Sequence, residues 1–382
     1  MVQLIGRIPR YWLAHRFGLG APLPANVTIG LTSRCNSQCR TCRIYERPSA
    51  ELTPDEWRRI FASLGRAPYW FTFSGGEPFL RQDTPEIVCS ALGICRPGVA
   101  NIPTNGLLTD RIVAGANAVC TANPHTQIII NVSLDDIGER HDEVRGVPGC
   151  YEKAVATVTR LQALGHANLT VGIHTVISRF NAADMARIVP RLLELGPDSY
   201  VTEVAEQRVE LGTIGLDIAP DAGTYSEALD HVERTLARDQ PGGVSGVVRA
   251  FRHEYYAMAR RYARLGEMAI PCYAGLASAQ IAPNGDVWFC CTRAESVGNL
   301  VEAGYDFRQV WRSAAAARLR QSIRRRECAC PLANAAYTNM LCHPPALARV
   351  IWRHLSSHGP HRDRVSARYS SGRGRKHVDA VG

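Results

Sequence analysis

The chain has 382 residues, 46% hydrophobic and 21% charged, a globular composition with ample apolar surface for a sizeable core. Its formal charge of +9 argues little for nucleic-acid binding, because residues 343–382 carry eight Lys/Arg against Asp363 and Asp379, and no basic platform interleaved with aromatics is present. No stretch approaches the ~18 apolar residues of a membrane span, no signal-peptide pattern opens the chain, and thirteen cysteines in a chain expected to be cytoplasmic point to metal or redox use over disulfides.

Residues 1–23 read as a basic arm, with Arg7, Arg10 and Arg16 among Ile5, Trp12, Leu13 and Phe17. From 24 to 218, strand-length apolar runs alternate with helix-patterned segments, the signature of βα units around a parallel sheet. Six strands are expected, at 27–32, 69–74, 100–104, 127–134, 169–177 and 199–204. Between the first two, Thr53-Pro54-Asp55-Glu56 supplies a helix cap, a proline at the first helical position and acids in the first turn. Helices over 151–164 and 182–195 follow from apolar residues at three- and four-residue spacing, and Gly165 and Gly196 suit their C-caps. Residues 219–268 carry two long helical patterns, at 221–238 and 247–265, read as a bridge. Residues 269–345 form a cysteine-rich module in which Asn284-Gly285 signals a hairpin turn. Residues 346–382, rich in Ser, Gly, His and Arg, read as a disordered basic tail.

The chemistry begins with Cys35-Asn-Ser-Gln-Cys39-Arg-Thr-Cys42, directly after the first strand. Three thiolates at this spacing can hold one iron–sulfur cube and leave its fourth iron free, whereas structural zinc asks for four ligands closed in a tetrahedron. Gly75-Gly76-Glu77-Pro78 follows the second strand, Asn105-Gly106 the third, and Ser133 and Asp135 end the fourth. In parallel sheets such groups meet on one rim, at the carboxyl ends of the strands. Cys89, Cys95, Cys120 and Cys150 lie in apolar surroundings and read as buried small hydrophobes.

The cysteine triplet, Ser74-Gly75-Gly76-Glu77-Pro78 and the six-unit βα pattern together resemble the radical S-adenosylmethionine (SAM) superfamily. The resemblance implies a partial (β/α)6 TIM-like barrel in which Cys35, Cys39 and Cys42 hold a catalytic [4Fe–4S] cluster and SAM chelates its open iron. It implies close backbone approach at Gly75 and Gly76 beside Pro78, with Glu77 or a nearby carbonyl receiving the cofactor's ammonium. It also suggests Asn105 near the cofactor, Ser133 and Asp135 on the ribose hydroxyls, and Val171–His174 near the adenine; Asp135 could equally cap a following turn. Family members commonly carry an aromatic just before the third cysteine, where this chain has Thr41; Tyr45 is the expected substitute.

A second resemblance, to the auxiliary-cluster domain called SPASM or its shorter twitch relative, rests on Cys272, Gly285, Cys290, Cys328, Cys330 and Cys342. The later part departs from the full pattern, so one auxiliary [4Fe–4S] cluster is expected, on Cys272, Cys290, Cys328 and Cys330, with Cys342 as rival for the last place. Cys290 is preferred to Cys291 because adjacent side chains diverge on a strand. Zinc on the same residues is the alternative.

Substrate-contact candidates are Glu203, Glu206, Arg208, His174 and Arg145, with Glu203 foremost, because a carboxylate on the inner face of a late barrel strand needs a partner to offset its burial. The expectation is an enzyme that cleaves SAM reductively to a 5′-deoxyadenosyl radical and takes hydrogen from substrate, with flavodoxin or ferredoxin as reductant. With only about 23 residues before the first strand, a small molecule is the expected substrate. The alternatives are a peptide maturase and a non-enzymatic iron–sulfur or zinc scaffold or electron carrier.

Overall fold

The computed structural model describes residues 2–239 and 246–356. Its strands are β1 Asn26–Thr32, β2 Trp70–Gly75, β3 Val99–Thr104, β4 Gln127–Ser133, β5 Leu169–Ile177, β6 Ser199–Val204, β7 Ser278–Ile281 and β8 Val287–Trp288. They form one sheet in the order β6-β5-β4-β3-β2-β1-β7-β8. β1 to β6 run parallel in sequence order, each boundary within one residue of expectation, with helices in the connections. This is the α/β parallel-sheet core that the pattern predicts and the partial barrel that the resemblance implies.

Alternation along the strands separates the two faces. On β4, Ile128, Ile130 and Val132 are buried against the helices while Ile129, Asn131 and Ser133 occupy the other face. The covering helices are built for that task. Pro54–Leu64 starts with the expected capping box between Thr53 and Glu56 and buries Trp57, Ile60, Phe61 and Leu64, a stripe at helical spacing. Each such side chain contributes roughly 1.5–3 kcal/mol of burial energy.

Three features differ from expectation. β7 pairs in parallel with β1, Asn26 opposite Ser278 through Ile29 opposite Ile281, so the cysteine-rich segment extends the barrel sheet. β8 then returns antiparallel across the Asn284-Gly285 turn. The basic end does not begin at 346: a helix spans Pro344–Ser356 and buries Ala346 and Val350, while 357–382 lie outside the described residues. The N-terminal arm is helical at Val2–Ile5 and Ile8–Phe17, and buries Tyr11, whose hydroxyl donates to the Leu23 carbonyl at 2.8 Å. All thirteen cysteines are free thiols. Among the described residues no helix is long and apolar enough to cross a membrane.

Candidate active site

Cys35, Cys39 and Cys42 lie on the loop after β1 and line one cavity of about 180 Å³ at the carboxyl ends of the strands. The loop is clamped on both sides. Gln38 and Arg40 donate backbone hydrogen bonds to the carbonyls of Arg145 and Val144, at 3.0 and 2.9 Å, and Arg43 donates to Leu211 at 2.9 Å. The three sulfurs lie close enough that the charge of each acts on the others. Burial pushes the Cys35 thiol up to about 11 and Cys42 up to about 12, and raises Cys39 as well. Asn105 Nδ2 approaches Cys35 Sγ at 3.9 Å, and Arg145 Nη1 approaches Cys39 Sγ at 3.8 Å. Three converging thiols with donors aimed at two of their sulfurs fit a soft cluster that draws electron density from thiolate.

Gly75 and Gly76 line the same cavity. At φ +128° Gly75 adopts backbone that side chains avoid, and a Cβ there would overlap the Thr32 carbonyl; one at Gly76 would overlap the Arg34 carbonyl. The pair therefore lets β2 press against the cysteine loop, where Gly76 and Glu77 donate backbone hydrogen bonds to Thr32 and Arg34 at 2.7 and 2.9 Å.

Glu77 does not reach the cavity. Its carboxylate is buried and accepts from the Phe79 amide at 3.1 Å, the Thr104 hydroxyl at 2.9 Å and the Asn105 amide at 2.7 Å. Burial pushes it up to about 7, against the pull of those donors. It ties the loops after β2 and β3 together. Pro78 opens the short turn behind it and is buried. Asn105 lies in the cavity as expected, its amide also donating to Asn36 Oδ1 at 2.7 Å and Ser37 Oγ at 3.0 Å.

At the fourth strand the expectation divides. Ser133 lines the cavity, but Asp135 is 1% exposed and fully engaged: Oδ1 accepts from the Val176 amide at 2.8 Å and Oδ2 faces Arg145 Nε at 2.8 Å. Asp135 therefore anchors Arg145, and a ribose contact is not available to it. Arg145, in turn, presents the cavity with a buried cation, its charge held by Asp135 against the cost of burial. Of the adenine segment, His174 lines the cavity and Val171 is core. Near the third cysteine it is Ile44, not Tyr45, that lines the cavity.

The end of β6 completes the wall with Glu203, Glu206 and Arg208. Arg208 lies between the carboxylates, 3.3 Å from Glu203 Oε2 and 3.0 Å from Glu206 Oε1, and His174 Nε2 is 3.7 Å from Glu203 Oε1. Burial pushes Glu206 up to about 7, whereas Arg208 and His174 hold Glu203 below the usual carboxylate range although it too is buried. Sequence reading missed what comes next: Val209 and Glu210 donate backbone hydrogen bonds to Thr292 and Cys291 at 3.2 and 3.3 Å, and Gln280 donates to the Glu210 carboxylate. One short segment thus joins the cavity wall to the C-terminal cysteines.

Among those cysteines, Cys272 feels the charge of Cys330 and Cys328, and Cys290 that of Cys272 and Cys328, so the four expected residues form one group. Arg293 donates to Cys328, and Asn339 Nδ2, buried and otherwise without a partner, faces Cys272. That orphaned donor fits a sulfur-rich group better than four separate thiols. Cys342 is not part of the group: it is buried with Tyr11, Ala14 and Tyr273 under the N-terminal helix. Cys291 diverges from Cys290 as expected and packs with Leu332 and Ala335, its thiol toward Glu210.

Fold and cavity define a partial barrel with an open cysteine triad at its mouth and a second cysteine group beside it. The Radical SAM superfamily profile matches residues 29–191, and the SPASM iron-sulfur cluster-binding domain matches 272–331. The chain is a member of the radical SAM superfamily with a SPASM domain, a pairing that carries SAM and [4Fe–4S] clusters. A PqqA peptide cyclase of Rhodopseudomonas palustris is 29% identical over 80% of this chain and 76% of its own length. The Pre-heme d1 synthase of Dinoroseobacter shibae is 32% identical over 49% of this chain, which spans only 43% of that relative. Among solved structures, Streptococcus suis SuiB bound to S-adenosylmethionine superposes with a TM-score of 0.59 at 15% identity over 78% of this chain and 68% of that one, a likeness of fold.

Proposed function

We propose that this chain is an enzyme that cleaves SAM reductively and abstracts hydrogen from a substrate held against Glu203, Glu206 and Arg208. Cys35, Cys39 and Cys42 would hold the catalytic cluster, and Cys272, Cys290, Cys328 and Cys330 a single auxiliary one. Bound at the triad, a reduced [4Fe–4S] cluster supplies the electron that breaks the sulfonium bond of SAM to yield methionine and a 5′-deoxyadenosyl radical. The chain's own work is orientation. Arg145, fixed by Asp135, offers a cation for the cofactor's carboxylate beside Cys39; Gly75 and Gly76 admit its methionine end to the backbone; Ser133 and Asn105 offer hydrogen-bonding groups. Arg208 sets the two glutamates at a fixed distance from that point, so the substrate's reacting C–H is presented inside a wall that excludes water.

The observation carrying this reading is the convergence of the triad, the glycine pair and the β6 carboxylates on one cavity. A peptide substrate is favoured by the cyclase match, which spans both modules, whereas the synthase match spans only about half of this chain; the small-molecule reading is kept as the second. Thirteen free thiols suit a reducing cytoplasm, where flavodoxin or ferredoxin would supply the electron. The test is anaerobic mixing with SAM and dithionite, following 5′-deoxyadenosine by mass spectrometry. Release by the wild type and none by Cys39→Ala supports the proposal; equal release by both removes it.

A further inference from the structure

Away from the cysteine-lined cavity, a second cavity of about 390 Å³ opens between the helices Ala222–Asp239, Gly246–Leu265 and Pro344–Ser356. Its size lies within the ~300–1,000 Å³ usual for small-molecule sites. Leu236, Ala250 and Trp352 give it apolar walls.

Among the described residues one cation in its wall has no carboxylate partner. Arg252 lines it and is only 7% exposed. Its side chain donates to the Tyr337 hydroxyl, but among the described residues no carboxylate pairs with it. The acids nearby are taken by other cations. Glu233 faces His253 at 2.7 Å and Arg260 at 2.5 Å, and Glu254 faces Arg349 at 2.6 Å and Arg353 at 3.7 Å. A buried guanidinium left with a neutral phenol is costly, because desolvation of the charge is not offset by an opposite one. A second buried group in the same wall is also unsatisfied: Tyr256, 1% exposed, has a hydroxyl with no hydrogen-bond partner.

We infer that this cavity binds a small organic oxyanion, a carboxylate or phosphate ester with a short apolar body. The guanidinium of Arg252 presents paired donors that match an oxyanion, and the Tyr256 hydroxyl supplies a third. Leu236 and the Trp352 indole then cover the body of the ligand, which explains why a charged and an apolar lining share one cavity. The site is separate from the proposed chemistry and stands whether or not that proposal holds.

Calorimetry on the full chain tests this with benzoate, phenyl phosphate, inorganic phosphate and, as a neutral control, benzamide. Benzoate or phenyl phosphate should bind one per chain, inorganic phosphate more weakly through lack of an apolar body, and benzamide not at all. Arg252→Met should weaken the bound anion at least tenfold and Tyr256→Phe a few-fold. Melting curves separate a site from a structural role: without ligand Arg252→Met should melt no lower than the wild type, and the anion should raise the melting temperature of the wild type more than that of Arg252→Met. Absence of saturable anion binding overturns the inference, as does unchanged affinity in both variants. A lower melting temperature for Arg252→Met together with wild-type affinity in Tyr256→Phe would overturn it equally, by making Arg252 a prop for Tyr337.

Discussion

The triad comes from eight consecutive residues, Cys35 to Cys42, while the other cysteine group is drawn from Cys272, Cys290 and the pair Cys328 and Cys330, spread along residues 272–330. The first is built by one loop and clamped from outside, so its three thiols share a face that opens on the barrel cavity. The second is drawn from three separate loops and carries donors of its own, Asn339 at Cys272 and Arg293 at Cys328. Three ligands leave a position for a reactant on a cluster's fourth iron, whereas four ligands leave none. On the proposed assignment, chemistry falls to the first group and electron handling to the second. The 206–210 segment, which carries Glu206 and Arg208 in the cavity wall and hydrogen-bonds to Cys291 and Thr292, connects them.

The sharpest way to break that contrast is one cysteine at a time. Cys39→Ala should reduce 5′-deoxyadenosine to background and leave about four of about eight irons per chain, as read by iron and sulfide analysis. Cys330→Ala should lose the other four and still release 5′-deoxyadenosine, whereas loss of both would merge the two groups into one functional unit. Next in size is the brace behind the triad. Asp135→Ala leaves Arg145 as a buried unpaired cation and should cost about 3–5 kcal/mol in urea unfolding; a loss below about 1 kcal/mol would mean that the pair is solvated and surface-like. Cys342→Ala should keep the full iron content and cost only on the order of 1–2 kcal/mol for the lost burial.

A pH dependence gives a further test. His141 is buried and its Nδ1 accepts from the Asp135 amide at 3.1 Å, and burial holds it down to about 4. A histidine whose folded pKa lies below its unfolded one contributes stability that is full above about pH 6.5 and is lost as pH falls toward 4. The slope is about 1.4 kcal/mol per pH unit in that window. Urea unfolding of the wild type against His141→Gln should show this slope only in the wild type; parallel curves would place the titration elsewhere.

The barrel was legible because strand-length apolar runs alternate with segments of helical spacing, and the Pro54–Leu64 helix carries its own cap, signals that need no knowledge of the partner. Pairing of β7 with β1 was not, since residues some 250 apart share no local pattern. The same limit explains the site. Period-two spacing put Ser133 and Asp135 on one face, but only the fold shows that Arg145 and the Val176 amide already occupy Asp135. Glu77 was likewise visible as a motif residue and invisible as a tie between loops. Counting charge from residue 343 hid the helix at Pro344–Ser356, whose Ala346 and Val350 lie at helical spacing under its basic surface.

The measurement that tests the central claim most directly is electron paramagnetic resonance of the dithionite-reduced chain, recorded before and after SAM. Two cluster signals should be present, and SAM should shift only the one that is missing from Cys39→Ala. A shift of the signal that survives in Cys39→Ala, or of neither, would contradict the assignment of the open triad as the site of chemistry.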